Sequence, residues 1–242
     1  NVDRYFDILD PGIAQQIKPK LIIAGASSYS QRIDWAQFRS IADSVGALLL
    51  CDVAHYSGLI AGGQYPNPFP YADIVTSTTH KTLRGPRGGI ILWNNNDLSA
   101  KINNAVFPGT QGGPLMHIIA AKAQCFYEAL QPSFREYTKK VVDNAKAMVE
   151  VFKNNDVDIV SNGTDCHMFT IDLGKEQYSG REFANLLEEN KITVNKNAVP
   201  GDTRNFIETS GVRIGTAAET TRGHDETWFR ELAQKITDLL RN

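Results

Sequence analysis

The sequence predicts an α/β fold in which a mostly parallel sheet has helices on both faces, followed by a smaller α+β domain. In the first half, short and almost continuously apolar runs alternate with amphipathic stretches, as in parallel strands that are buried on both faces. In the second half, long helices precede a smaller number of strands. We place the boundary near Gln131–Pro132, so that residues 1–131 form the large domain and residues 132–242 the small one.

The first half contains four predicted strands and one well-defined helix. Asp34–Val45 has apolar residues at helical spacing, and Asp34 stands where an N-cap is expected. Ligands of open α/β sheets bind at the carboxyl ends of the strands, so polar residues should gather there. The predicted strands are Lys20–Ala24, Ala47–Cys51, Asp73–Ser77 and Gly89–Trp93.

The second half begins with two predicted helices, Leu115–Leu130 and Ser133–Asn154. Pro132 separates them, because proline is excluded from a helix interior. The elements that follow are predicted as a strand at His167–Leu173, a helix at Ser179–Asn190, a short strand at Ile192–Asn195, a strand at Gly211–Ile214 and a helix at Asp225–Leu240.

The composition excludes several classes of protein. With 42% hydrophobic residues and a net charge of −2, the sequence is that of a folded protein with no predicted affinity for nucleic acid or an anionic membrane. No apolar run approaches the ~18 residues of a membrane helix, and no signal peptide is visible after Asn1. The three cysteines are scattered and fit buried free thiols, no metal-ligand cluster is present, and we expect a reducing, cytoplasmic setting.

Chemically distinctive residues follow three of the predicted strands. Asp52 and Lys81 each come after an apolar run, and hydroxyl residues accompany both. A lysine that bonds to an aldehyde and a carboxylate that keeps a pyridinium nitrogen protonated are the requirements of pyridoxal phosphate. Each residue alone also fits a turn, a helix cap or a solvated surface charge, so the prediction depends on their joint order.

Four sequence motifs resemble serine hydroxymethyltransferase. They are DVAHYSGLIAGGQYPNP at Asp52–Pro68, TTHKTLRGPRGG at Thr78–Gly89, FPGTQGGP at Phe107–Pro114 and TSGVRIGT at Thr209–Thr216. The resemblance implies a fold-type I pyridoxal phosphate enzyme with an aspartate-aminotransferase-like large domain. It also implies a homo-oligomer, either a dimer or a dimer of dimers, that interconverts serine plus tetrahydrofolate with glycine plus methylenetetrahydrofolate.

The resemblance assigns cofactor roles to residues of the matched motifs. Lys81 resembles the lysine that forms the Schiff base, and Asp52 resembles the partner of the pyridinium nitrogen. His55 and Ser27 resemble residues beside the cofactor ring oxygen. All four roles are implied by matching motif positions.

Further residues near the lysine also match the family pattern. Thr78 and His80 resemble residues that select the substrate and move protons, and Arg87 resembles an arginine beside the cofactor. Gly112 and Gly113 match a glycine pair that reaches the cofactor phosphate of a neighbouring subunit, so the resemblance implies active sites shared between subunits.

The carboxyl-terminal motif implies the binding of amino acid and folate. Arg213 resembles the arginine that grips the substrate carboxylate, for which a planar bidentate group is well suited. The loop Asn195–Glu208 resembles a folate-contacting loop. The residues matched in it are Asn197, Val199, Pro200 and Asp202.

Two segments depart from the family pattern. Asn205-Phe206-Ile207 replaces an expected Ser-Pro-Phe and remains our candidate folate contact, and Ala217 replaces an expected proline. A lost proline loosens a turn. In addition, the family's chain begins well before Asn1, and that upstream part normally supplies other cofactor and substrate residues.

Two alternatives to the hydroxymethyltransferase hypothesis remain. Another fold-type I enzyme, such as threonine aldolase or an aminotransferase, would keep Asp52 and Lys81 but is not expected to carry both TTHKTL and the Asn197–Asp202 loop. The other alternative is an inactive fragment that keeps the fold of the parent enzyme without its activity.

Overall fold

The chain divides into two compact units in a computed structural model, which describes residues 11–174 and 178–241. The first unit comprises residues 11–27 and 33–135, and the second comprises residues 28–32 and 136–241. Asn1 lies outside the described residues. Within the described ranges, no helix is both long enough and apolar enough to span a membrane.

The first unit contains a four-stranded sheet in which the strands lie side by side in chain order. The first three strands are parallel, and the fourth runs antiparallel to the third. The prediction of a mostly parallel sheet is therefore confirmed. The strands are β1 (Leu21–Gly25), β2 (Leu48–Asp52), β3 (Ile74–Thr78) and β4 (Gly89–Trp93).

On the three parallel strands, one face of the sheet is largely buried and the other is partly exposed. Leu49 of β2 and Val75 of β3 are buried, as expected for apolar strands that pack against helices. Ile23 of β1 and Leu48 of β2 point to the opposite face, where Ile23 is 67% exposed. The expected cover of helices on both faces is thus incomplete within the described residues.

The helix after β1 forms as its sequence predicts. Helix α2 (Trp35–Val45) begins at Asp34, whose side chain accepts a hydrogen bond from the Gln37 amide at 2.9 Å. It ends at Gly46, whose φ of 67° is a conformation that glycine adopts without strain. Its apolar stripe is buried, and the helix contacts β1 and β2. The other helices of this unit are α1 (Pro11–Ile17), α3 (Ser57–Ala61), α4 (Asn96–Asn104) and α5 (Met116–Ala129).

The second unit has an antiparallel sheet and a core of its own. Strand β7 (Gly211–Gly215) lies between β5 (Met168–Asp172) and β6 (Asn195–Asn197). Phe169 of β5 and Val212 of β7 point into a core of buried apolar side chains. The α-helices among the described residues of this unit are α6 (Pro132–Asn154, whose first four residues belong to the first unit), α7 (Gly180–Glu189), α8 (Ala217–Thr221) and α9 (Glu226–Arg241).

Local signals also fix two helix starts in this part of the chain. Ser179 caps α7 and exchanges hydrogen bonds with Glu182, a reciprocal pair that satisfies two amides at the helix start. Helix α6 begins at Pro132 itself, one residue earlier than predicted, because the first helical position needs no amide hydrogen.

The predicted strand at Ile192–Asn195 is wrong. The strand is β6, which begins only at Asn195. Ile192 and Val194 are half-buried and pack against the core of the second unit instead. Their apolar alternation therefore reflects side-chain packing that does not require strand pairing.

We expect the cysteines to be unreactive in the folded protein. All three are free and buried, and burial raises the pKa of Cys51 to about 12 and that of Cys166 to about 11. Burial also raises the pKa of Cys125. Because the thiolate is the reactive form, a thiol reagent at pH 8 should label none of them until denaturant is added. Rapid labelling of any cysteine in the native protein, detected by mass spectrometry, would contradict this prediction.

Candidate active site

Asp52 presents its carboxylate at the carboxyl edge of the first sheet. It is the last residue of β2, and it pairs in register with Gly25 of β1 and Thr76 of β3. The Oδ1 atom accepts a hydrogen bond from the Ala54 amide at 3.0 Å, and the Oδ2 atom accepts one from the Thr76 hydroxyl at 2.9 Å. The carboxylate is therefore oriented while the residue stays exposed.

Gly25 allows the first two strands to meet closely beside this carboxylate. A Cβ atom on Gly25 would lie 3.1 Å from the Asp52 Cβ atom and still closer to the Asp52 carbonyl oxygen. Only glycine fits this close approach of two backbones.

Lys81 lies half-buried in a loop that is closed around Thr79. Thr79 is buried; its amide donates to the Gly88 carbonyl at 3.0 Å, and its carbonyl accepts from the Gly85 amide at 2.7 Å. Its hydroxyl donates to the Pro86 carbonyl at 2.5 Å. These bonds give the loop a defined shape without a helix or strand, and Lys81 is carried within it.

Thr82 joins the lysine loop to the loop that follows β2. Its hydroxyl donates to the His55 carbonyl at 2.9 Å and accepts from the Gly58 amide at 3.0 Å, and Thr82 is 1% exposed. A Cβ atom on Gly58 would overlap the Thr82 carbonyl group. The two loops therefore form one body, which carries His55 and Lys81 together.

Thr78, a predicted substrate-selecting residue, contributes a contact near the same junction. Thr78 is the last residue of β3, and its hydroxyl donates to the Ala54 carbonyl at 3.5 Å.

The sequence analysis missed Thr82, although a hydroxyl directly after the candidate lysine was an available signal. It also missed Lys122, whose Nζ atom donates to the Gly89 carbonyl at 2.9 Å and supports the end of the lysine loop. The separation of 33 residues gave no local signal.

His80 sits beside Lys81 with a neutral imidazole at pH 7. Burial lowers its pKa from 6.5, and the positive charges of Arg87 and Lys81 lower it further. Its Nδ1 atom is buried and has no hydrogen-bond partner in the described part of the chain. A neutral imidazole with one unused nitrogen can accept a proton and return it.

Three further candidates are exposed, and only Ser27 closely follows a strand of this sheet. Ser27 is exposed and follows β1. Gly112 and Gly113 are exposed, and a Cβ atom on either would meet no heavy atom within 4 Å. The hydrogen bonds described for residues 11–174 and 178–241 join Asp52, His55 and the lysine loop, but none of them reaches the glycine pair.

Arg213 lies on one face of the sheet of the second unit. It stands on the central strand β7, opposite Thr170 of β5 and Asn195 of β6. Its Nη2 atom donates to the Asn195 Oδ1 atom at 3.1 Å. Asn197 is two residues further along β6, so it points to the same face as Arg213. The structure thus brings Arg213 and one of the candidate folate-binding residues, Asn197, onto a common face of this sheet.

Asp202 shapes the loop that follows β6. Its carboxylate accepts hydrogen bonds from the Val199 and Arg204 amides and from both the amide and the hydroxyl of Ser210, at 2.7 to 3.3 Å. Burial raises the pKa of Asp202, but these hydrogen bonds outweigh burial and hold the pKa below its usual value of 3.8. The ionised carboxylate is thus the organising centre of this loop.

The segment that departs from the family pattern forms a side-chain turn. The Asn205 Oδ1 atom accepts hydrogen bonds from the Ile207 amide at 2.9 Å and the Glu208 amide at 3.1 Å. Phe206 and Ile207 project from this turn and are 88% and 62% exposed. The Asn205 side chain thus stabilises a turn in the segment where the family pattern has a proline. Helix α8 likewise begins at Ala217, in place of the other expected proline.

Metal ligands do not converge anywhere in residues 11–174 and 178–241: no group of three or more His, Cys, Asp or Glu side chains there could hold a metal ion. The fold is that of an open α/β protein whose candidate residues Asp52 and Lys81 follow strands at the carboxyl edge, where ligands of such folds bind.

Comparison with known proteins supports this class and specifies the family. Residues 5–236 match the serine hydroxymethyltransferase family. The serine hydroxymethyltransferase of Lactobacillus gasseri is 57% identical over 95% of this chain and 56% of its own length. Serine hydroxymethyltransferase 1 of Pseudomonas aeruginosa is 57% identical over 94% of this chain and 55% of its own length. The chain belongs to the serine hydroxymethyltransferase family, and it spans about half the length of these curated relatives.

We expect the His80 imidazole to titrate below pH 6.5. Replacing Arg87 by alanine should raise the midpoint, because removal of a nearby positive charge makes protonation easier. The matched control is Arg84→Ala, since the Arg84 guanidinium lies over the Phe134 ring and is not among the charges that act on His80. NMR titration of the imidazole measures both midpoints. A wild-type midpoint at or above 6.5, or no change in Arg87→Ala, would contradict the assignment.

Replacing Asp202 by alanine should loosen the loop of residues 199–210. The substitution removes an acceptor of four hydrogen bonds, and even one such bond to a charged group is worth about 1.5–3 kcal/mol. Trypsin cleavage after Arg204 should accelerate by about tenfold or more. Asp238→Ala is the control, because Asp238 lies on helix α9, where it accepts a bond from Gln234. Equal cleavage rates in the two variants would refute the role of Asp202.

Proposed function

We propose that this chain forms the lysine-bearing part of an enzyme that reversibly transfers the hydroxymethyl group of serine to tetrahydrofolate. The products are glycine and 5,10-methylenetetrahydrofolate, and the cofactor is pyridoxal 5'-phosphate. The observation that carries the proposal is the Thr82 junction, which fixes Lys81 and His55 beside the carboxyl edge where Asp52 ends β2. The family match and the identity to curated relatives support the same reaction.

The donor set at this edge fits the cofactor. Lys81 would hold it covalently through the Nζ atom, and Asp52 would pair with its protonated ring nitrogen. The Asp52 carboxylate is oriented by two hydrogen bonds and keeps further lone pairs for a cation. Pyridoxal phosphate, when bound, supplies the sink for the electrons of the bond that breaks. Ser27 and His55 would stand beside its ring oxygen.

The chain's own residues would bind and orient the cofactor and the substrate, and they would move protons. A fixed carboxylate such as Asp52 stabilises positive charge without reorganising during the reaction. The neutral His80 imidazole, whose Nδ1 atom has no hydrogen-bond partner among residues 11–174 and 178–241, would accept and return a proton, and Thr78 would help select the substrate. Arg213 would grip the substrate carboxylate, because its planar group can donate two parallel hydrogen bonds.

The loop after β6 is the proposed folate contact. Asn197 points to the same sheet face as Arg213, and Asp202 gives the following loop a fixed shape. Phe206 and Ile207, exposed on the Asn205 turn, offer apolar surface to a pteridine or benzoyl ring. Amide and apolar groups on a preformed loop suit a flat, polar-edged ligand.

We also propose a homo-oligomer with shared active sites, in the cytoplasm. Gly112 and Gly113 face open space, as expected if they reach the cofactor phosphate of a neighbouring subunit. Large apolar side chains in the same stretch of chain, residues 107–130, are exposed, a feature typical of interfaces. They include Phe107, Leu115, Met116, Tyr127 and Leu130. Within each subunit, residues 1–131 would belong to the large cofactor domain and residues 132–242 would form the small domain.

Borohydride trapping tests the role of Lys81. Incubation of the complete gene product with pyridoxal phosphate, followed by reduction, should attach the cofactor to Lys81. The variant Lys81→Ala should lose the attachment and lower kcat by on the order of 10³ or more. Lys101→Ala, on exposed helix α4, is the control and should behave as wild type. Peptide mass spectrometry locates the attachment, and attachment to another lysine would overturn the assignment.

The same experiment separates the whole enzyme from a fragment. Trapping and hydroxymethyl transfer in the complete gene product, with neither in the 242-residue chain alone, would identify the chain as an inactive part of the enzyme. Trapping without transfer to tetrahydrofolate in the complete product would count against the folate assignment and favour another reaction of the same cofactor.

A further inference from the structure

We propose that Asn195 is a positioning residue that aims the Arg213 guanidinium at the substrate carboxylate. The inference rests on the proposed function, in which Arg213 binds that carboxylate. Asn195 itself would not touch the substrate; its side chain would restrict the arginine to one arrangement before the substrate arrives.

The geometry of the antiparallel sheet places the two side chains together. Arg213 of β7 and Asn195 of β6 are register partners, so they project from the same face. The alternate residues of β7, Val212 and Ile214, are buried in the core on the opposite face. Arg213 is half-buried and Asn195 is exposed, and the Nη2 to Oδ1 distance is 3.1 Å. This hydrogen bond draws the guanidinium towards the β6 side of the sheet.

Thr170, the register partner of Arg213 on β5, does not compete for the guanidinium. It is 2% exposed, and its hydroxyl has no hydrogen-bond partner within the described residues. The arginine thus stands between a hydroxyl that does not bind it and an amide oxygen that does. This asymmetry favours an arrangement set from the Asn195 side.

The neutrality of the acceptor matters for the chemistry. A guanidinium has five N–H donors, and the hydrogen bond to Asn195 engages one of them without itself blocking the fork geometry that a carboxylate needs. An amide oxygen orients the group without cancelling its charge. An aspartate in the same place would hold the arginine equally well, but it would form an ion pair that competes with the carboxylate of the substrate.

The test compares Asn195→Ala, Asn195→Asp and Arg213→Ala in the complete gene product. Asn195→Ala should raise the Kd of glycine and the KM of serine by about tenfold, the expected effect of losing one hydrogen bond to a charged group. The kcat value, the cofactor Kd and the Tm should change little. Asn195→Asp should weaken amino-acid binding at least as much, although it keeps an acceptor in place.

Two control variants isolate the effect. Asn190→Ala removes an asparagine that bonds a backbone carbonyl, that of Leu186 at 2.9 Å, at the end of α7. Thr170→Val removes the unpartnered hydroxyl on the other side of Arg213. Both should leave the Kd of glycine unchanged. Calorimetry gives this Kd independently of turnover.

Each outcome distinguishes a positioning role of Asn195 from a purely structural role. Wild-type glycine binding in Asn195→Asp together with weak binding in Asn195→Ala would mean that any acceptor suffices, and it would overturn the proposal. Unchanged binding in Asn195→Ala, or a parallel loss of Tm, kcat and cofactor affinity, would also overturn it. Normal glycine binding in Arg213→Ala would instead refute the role of Arg213 in the proposed function. Loss of glycine binding in Arg213→Ala, with unchanged binding in Asn195→Ala, would refute this inference alone.

Discussion

The Thr82 hydroxyl is the contact on which the geometry of the first unit depends. It joins a loop that follows β3 to a loop that follows β2 by accepting one hydrogen bond and donating another, while fully enclosed by protein. The lysine loop has no regular backbone ladder to hold it, and Gly58 lies in the first turn of helix α3, where an amide needs a partner outside the helix. A buried hydroxyl that satisfies an amide and a carbonyl at once replaces such a ladder, since leaving either group unpaired would cost about 1–3 kcal/mol. Gly58 permits the contact by having no side chain.

The elements that the sequence predicts well are those with local chemical signals. Asp34 and Ser179 cap their helices as expected, and β4 spans the predicted residues Gly89–Trp93. The order of apolar runs was sufficient for a mostly parallel sheet, because such strands must be buried between other layers. The short helix α3 escaped prediction, since five residues carry too little periodicity to stand out.

The parts that the sequence did not reveal depend on contacts between distant residues. The strand assignment failed at Ile192, because apolar spacing does not distinguish pairing from packing. Asp52 and Lys81 were recognisable from strand ends and motif, but the bond from Arg213 to Asn195 follows from a register that no local pattern specifies. Asn205 shows the converse: a departure from the family motif is offset by turn chemistry of another kind.

The burial of all three thiols makes the protein suitable for labelling at a single introduced cysteine. Since Cys51, Cys125 and Cys166 are all enclosed, the surface of the described chain carries no cysteine sulfur. A single cysteine introduced at an exposed position outside the proposed site, such as Lys101 on helix α4, could then carry a spin label or a cross-linker without background. Distances between such labels would show whether copies of the chain associate in solution and how far apart the labelled positions then lie.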